Sequence, residues 1–166
     1  PFFDMLHRIN GLPGWRRLLK DEEPDVHMKD IEILLRGFAM LAGDYKPSMT
    51  RFLNRFSRRS QGNAPELNDY FEALFKSFVD CCKSVAPDGF YSARTKRFSI
   101  ALYEAVFAAA CEGPLAERAL VTTEIPNDAL RRLDQDPEFV EASEKASADK
   151  SNVDKRLERA RVILRG

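Results

Sequence analysis

A single period constrains the fold of this chain more than any other feature. Between Pro65 and Val85 apolar side chains recur at Leu67, Phe71, Leu74, Phe78, Cys81 or Cys82, and Val85. Spacings of three and four sustained in this way place those side chains on one face of an α-helix and on no face of a strand. Similar patterns fill the intervals between a series of breaks at Gly11–Gly14, Asp21–Pro24, Gly43–Pro47, Gln61–Pro65, Pro87–Gly89, Gly113–Pro114, Ile125–Pro126 and Asp136–Pro137. The expected fold class is all-α, one compact bundle of about six or seven helices spanning residues 1–166.

Individual helices follow from the same pattern. The segment from Val26 to Ala42 carries Met28, Ile31, Leu34, Leu35, Phe38 and Leu41, opens after Asp25 as an N-cap and closes at Gly43. It is expected to be the central helix. Gly37 within it costs about 1 kcal/mol relative to alanine, which implies close packing by another backbone. From Ser48 to Arg59 the inner face is Met49, Phe52, Leu53 and Phe56. Phe98, Leu102 and Val106 lead into Ala108-Ala109-Ala110, whose small side chains allow close helix contact. Asp136-Pro137 supplies a cap and a first-turn proline. Ser151 with Asp154 resembles a capping box for a last helix built on Val153, Leu157, Ala160 and Leu164.

Twenty-six basic residues against 26 acidic ones give a net charge of zero. That balance removes the general electrostatic argument for a nucleic-acid or membrane binder and leaves only a local patch. No apolar run reaches the roughly 20 residues that cross a bilayer, so no membrane partner is expected. Cys81, Cys82 and Cys111 are odd in number and lack CxxC spacing, so they indicate neither a disulfide framework nor a zinc site. They are read as packed thiols in a reducing cytoplasm. The chain opens on Pro1 and is expected to be a piece of a longer polypeptide.

Enzyme chemistries find little support. The eight glycines are scattered with no strand before them, which argues against a phosphate-cradling loop. His7 and His27 are the only histidines, and neither has metal-binding spacing. No catalytic dyad, metal or cofactor is expected in this stretch. Asp30 and Glu32, two residues apart, point to different faces of their helix, and Glu32 stands four residues before Arg36, the spacing of an intrahelical ion pair. Trp15-Arg16-Arg17 reads either as an aromatic–cationic nucleotide platform or as a tryptophan anchoring a loop to the core.

The basic helix is the best functional hint. Between Tyr45 and Pro65 stand Lys46, Arg51, Arg55, Arg58 and Arg59 and no acid. Arg51, Arg55 and Arg59 fall at steps of four, with Arg58 beside them, a geometry suited to tracking phosphates. An ordinary solvated face, or docking against acidic Glu138–Glu144, explains the same residues. Arg94, Lys96 and Arg97 extend the patch if their segment lies alongside. Residues 124–149 hold eight acids and three bases, and residues 150–166 six bases and two acids, so these stretches are expected to pair.

Several residues together resemble a known family. Phe2-Phe3-Asp4-Met5-Leu6 with Asn10, Trp15-Arg16, Asp25 to Asp30, Glu32 to Ala39 with Arg36, Tyr45, Phe52-Leu53-Asn54, and Ser151-Asn152-Val153 with Arg156 resemble the helical region that follows the catalytic domain in GmrSD-like proteins, which carry the domain of unknown function 262. His27 stands where that family has arginine, and Gly37 where it has an aromatic. The resemblance implies a bacterial or archaeal restriction protein. Its missing amino-terminal domain would be ParB-like, with an Asp-Gly-Gln-Gln-Arg motif tied to nucleotide hydrolysis and DNA cleavage, and some relatives add an HNH nuclease. Neither motif occurs in these 166 residues.

Three functions are therefore weighed. The first is a non-catalytic accessory domain that supports a nuclease domain, contacts DNA through Arg51, Arg55, Arg58 and Arg59, or mediates assembly. In it Trp15, Arg16, Asp25, Asp30, Glu32 and Arg36 are structural. The second is a stand-alone protein-interaction module driven by the acidic segment. The third is a small enzyme built on His27, Asp30, Glu32 and Arg36. Oligomeric state is left open.

Overall fold

The computed structural model describes all of residues 1–166. The chain is all-helical, with α1 (Phe2–Asn10), α2 (Pro13–Leu19), α3 (Lys29–Ala42), α4 (Met49–Ser60), α5 (Pro65–Cys81), α6 (Ile100–Glu117), α7 (Asn127–Gln135), α8 (Pro137–Glu144) and α9 (Lys150–Arg165). Tyr91 and Phe98 form an isolated antiparallel bridge, and there is no strand. No helix is long and apolar enough to cross a membrane.

Nine helices replace the expected six or seven, the added ones being short, α2 and α7 among them. The Gly11–Gly14 segment breaks the chain only at Gly11-Leu12, and its Pro13-Gly14 end already starts α2. Pro13 occupies the first turn, where its missing N–H costs nothing. Gly14 lets α2 lie against α5, since a Cβ there would stand 2.5 Å from Val79 Cγ1. The second unforeseen helix, α7, buries Ala129, Leu130 and Leu133 between the two prolines that bracket it. Gly113-Pro114 does not end α6 either, and the helix runs through Pro114 to Glu117. Its last turn is tied to α5 by the Tyr70 hydroxyl, which donates to Pro114 O at 3.2 Å and to Ala119 O at 2.7 Å.

Helix α6, not α3, is central. Every residue from Leu102 to Ala108 is buried, the signature of a helix covered all round. Helices α3 and α9 pack most extensively on it. Gly37 does serve close packing, but against a ring rather than a backbone: a Cβ there would lie 3.0 Å from Tyr103 Cε2 and Oη and 3.3 Å from Phe107. Around this contact Trp15, Phe38, Phe71, Phe75, Phe78, Tyr103 and Phe107 form the aromatic centre, with Phe78 edge-on to Phe107 at 5.0 Å and Trp15 5.1 Å from Tyr103. Such ring pairs add about 0.5–1.5 kcal/mol each beyond their buried area.

The caps differ in detail. Helix α3 begins at Lys29 rather than Val26, with Met28 left-handed at φ 61°. The N-cap is therefore Met28 and not Asp25, although Asp25 Oδ2 accepts from Lys29 N at 2.9 Å. Asp136 caps α8 through Phe139 N at 3.0 Å, as its Asp-Pro sequence implies. Ser151 is not a capping residue: α9 starts two residues earlier than such a cap implies, behind Asp149, and Asp154 pairs with Lys150 at 3.1 Å.

Candidate nucleic-acid interface

Helix α4 packs chiefly on α3. Its buried side is Phe52, Leu53, Phe56 and Ser60, with Phe56 edge-on to Phe2 at 5.9 Å and Phe52 edge-on to Tyr45 at 5.0 Å. The sequence-derived inner face therefore holds, and Arg51, Arg55, Arg58 and Arg59 are all exposed on the other side. At a rise of about 1.5 Å per residue, Arg51, Arg55 and Arg59 repeat every ~6 Å along the helix.

Every helix except α4 contributes a residue to at least one ion pair. Arg59 is fixed by its own helix and the end of α3, its guanidinium 5.5 Å from the Phe56 ring centroid and 3.4 Å from Ala42 O. Between α4 and the Gly43–Lys46 segment, Lys46, Arg55 and Arg59 border a shallow recess with one acid, Asp44, which is 3.9 Å from Lys46. Arg94 does not extend this face. It turns to Glu144 at 3.1 Å and Asp134 at 3.8 Å, and the loop carrying Lys96 and Arg97 is pinned to α7 by Ala93 N donating to Asp134 Oδ2 at 3.0 Å.

The acidic segment does not cover α4. Its charges meet the last helix, with Arg159 on Asp136 at 2.9 Å and Lys155 on Glu138 at 3.4 Å. Arg161 of α9 pairs with Glu112 of α6 at 2.7 Å. The expected pairing of acidic and basic stretches is thus satisfied within the fold.

Four residues scattered in the sequence, Trp15, Arg16, Asp25 and Asp30, converge with Asn10 where α1, α2 and α3 meet. Asp30 Oδ2 accepts from Arg16 Nη1 at 2.7 Å, Asp25 N at 3.0 Å and Asn10 Nδ2 at 3.3 Å. Trp15 Nε1 donates to Asn10 Oδ1 at 3.2 Å. Arg16 also donates through Nε to Asp21 O at 2.8 Å and through Nη2 to Glu23 O. Burial opposes ionisation of Asp30, and the hydrogen bonds from the Asp25 amide, Arg16, its own amide and Asn10 overcome it, holding the carboxyl below its usual range. Trp15 is fully buried, so it anchors the core and offers no ring for stacking on a nucleotide.

The four residues of the enzyme reading are not brought together. His27 and Glu32 are exposed while Asp30 is buried, as two-residue spacing requires. The Glu32–Arg36 ion pair does not form; Arg36 pairs instead with Glu104 of α6. No group of three or more His, Cys, Asp or Glu side chains is placed to hold a metal ion.

A second polar centre was not anticipated. Glu104 and Arg156, both 4% exposed, line a cleft of about 170 Å³ between α3, α6 and α9. Arg156 Nη1 donates to Ala142 O at 2.6 Å, and Tyr45 Oη donates to Ala148 O above it. One sequence signal pointed here: Glu104 is the only charged residue between Phe98 and Cys111, and a lone acid in an apolar helix is buried with a partner. The chain matches no protein-family model, no curated protein and no solved structure.

Proposed function

We propose that this chain is a non-catalytic helical accessory domain of a GmrSD-like restriction protein and that α4 is its phosphate-contacting surface. The single observation carrying this reading is that α4 has four exposed arginines and no residue in any ion pair, whereas every other helix contributes to at least one. Three of the arginines repeat at one helical step, each is permanently cationic, and guanidinium suits the geometry of phosphate oxygens. The convergence of Trp15, Arg16, Asp25 and Asp30 on one buried network supports a structural role for the residues that carry the family resemblance. The partners in this reading are the amino-terminal nuclease domain and DNA, in a reducing cytoplasm that keeps the three free thiols reduced.

The interaction-module reading rested on the acidic segment, and its Asp136 and Glu138 are already engaged by Arg159 and Lys155. Duplex DNA binding by the chain and by an Arg51→Glu/Arg55→Glu variant tests the proposal. The reversal is expected to lower affinity by on the order of tenfold or more at low salt. A folded variant that binds as the parent does overturns it.

A further inference from the structure

The cleft between α3, α6 and α9 is independent of α4 and has a charge left over. Three acids border it and each has its own cation: Glu104 is met by Arg36, Asp154 by Lys150 at 3.1 Å, and Asp44 by Lys46 at 3.9 Å. Arg156 is the exception. It is 4% exposed, its one hydrogen bond runs from Nη1 to Ala142 O, and no carboxylate lies within 4.0 Å of its guanidinium. A guanidinium 4% exposed with one neutral acceptor is largely desolvated and has no anion bound to it, and its other nitrogens are not sealed off from solvent. Burial accordingly pushes Arg156 below the usual arginine range despite the pull of nearby Glu104.

The cleft is also the right kind of space. About 170 Å³ is available, against the roughly 10–15 Å³ that a single water needs. Ala101 and Ala105 of α6 and Val153 and Leu157 of α9 give it an apolar lining. A concave site with an apolar wall and few convergent polar groups is the usual form of a small-molecule site. Charge-assisted N–H to carboxylate bonds to a fixed arginine fork provide its orientation.

We propose that this cleft binds a small organic carboxylate, its anionic end on the Arg156 guanidinium and its short aliphatic body against Ala101, Ala105 and Leu157. The Tyr45 hydroxyl, through Ala148 O, holds the α8–α9 connection beside it.

Isobutyrate is the probe and isobutyramide its neutral isostere, titrated into the chain at matched ionic strength while the Arg156 Nε–Hε resonance is followed. Isobutyrate is expected to shift that resonance saturably, and isobutyramide to leave it unmoved. Arg156→Met is expected to weaken binding roughly ten- to hundredfold, the loss of a charge-assisted hydrogen bond. Should that variant fail to fold, Ala101→Leu fills the cleft from α6 without touching the arginine and is expected to weaken binding at least as much. No saturation with isobutyrate, an equal response to the amide, or unchanged affinity in folded Ala101→Leu overturns the proposal.

Discussion

Replacing Asp30 by asparagine keeps the shape of the side chain and removes the charge that faces Arg16. In the native structure one carboxylate oxygen, Oδ2, takes three donors, from Arg16, Asp25 and Asn10, in a site where both the Arg16 and Asp30 side chains are below 10% exposed, at 8% and 6%. The variant leaves the guanidinium buried without a counter-charge, and breaking a buried pair in this way costs about 3–5 kcal/mol. For a chain of this length each kcal/mol moves the midpoint by about 2–4 °C. Asp30→Asn is therefore expected to lower Tm by on the order of 10 °C in calorimetry at neutral pH.

The pH dependence gives a second reading of the same charge. The folded Asp30 carboxyl is held below its unfolded value, so its stabilisation is complete above the unfolded pKa of about 4 and is lost as pH falls through the folded value. The gap between wild type and Asp30→Asn is expected to be widest near neutrality and to close in acid. A variant that melts within about 2 °C of wild type, or a gap that does not change between pH 7 and strongly acidic solution, refutes the assignment of a buried ionic network.

Other outcomes follow from packing and burial. Gly14→Ala is expected to destabilise the fold because the new methyl strikes Val79, and Val79→Ala in the same chain is expected to recover part of the loss, as a double-mutant cycle by denaturant melting would show. Gly37→Val is expected to cost about 1–3 kcal/mol by overpacking against Tyr103 and Phe107, read by the same melts. Burial pushes the Cys82 thiol up to about 12 and that of Cys111 higher still. Both are expected to resist a thiol reagent at pH 8 and to react once the chain is denatured. Native labelling at the rate of a free thiol contradicts their burial.

Much of the fold is legible locally. The inner face of α4, the face of α5 and the Asp-Pro start of α8 are each written in residues three or four apart, and the structure reproduces them, except that α5 ends at Cys81 and leaves Val85 outside the helix. What escapes is decided over long separations. Arg36 prefers Glu104, 68 residues away, over Glu32 one turn before it, because Glu104 is buried and requires a cation whereas Glu32 is already solvated. Helix α2 is obscured by its glycine, which the close approach of Val79 selects. Pro114 reads as a stop although the surrounding packing carries α6 through it. Among candidate site residues the arginines of α4 were legible as one face, whereas the sequence marks Glu104 only as a lone acid in an apolar helix, and its cleft with Arg156 exists only where α9 lies on α6.

The salt dependence of DNA binding tests the central claim most directly. If Arg51, Arg55, Arg58 and Arg59 each neutralise a phosphate, log affinity for duplex DNA is expected to fall against log salt with a slope of about −3.6, dropping to about −1.8 when Arg51 and Arg55 are replaced by glutamine. An unchanged slope in that variant, or binding of the parent chain that is indifferent to salt, contradicts a phosphate-facing role for α4.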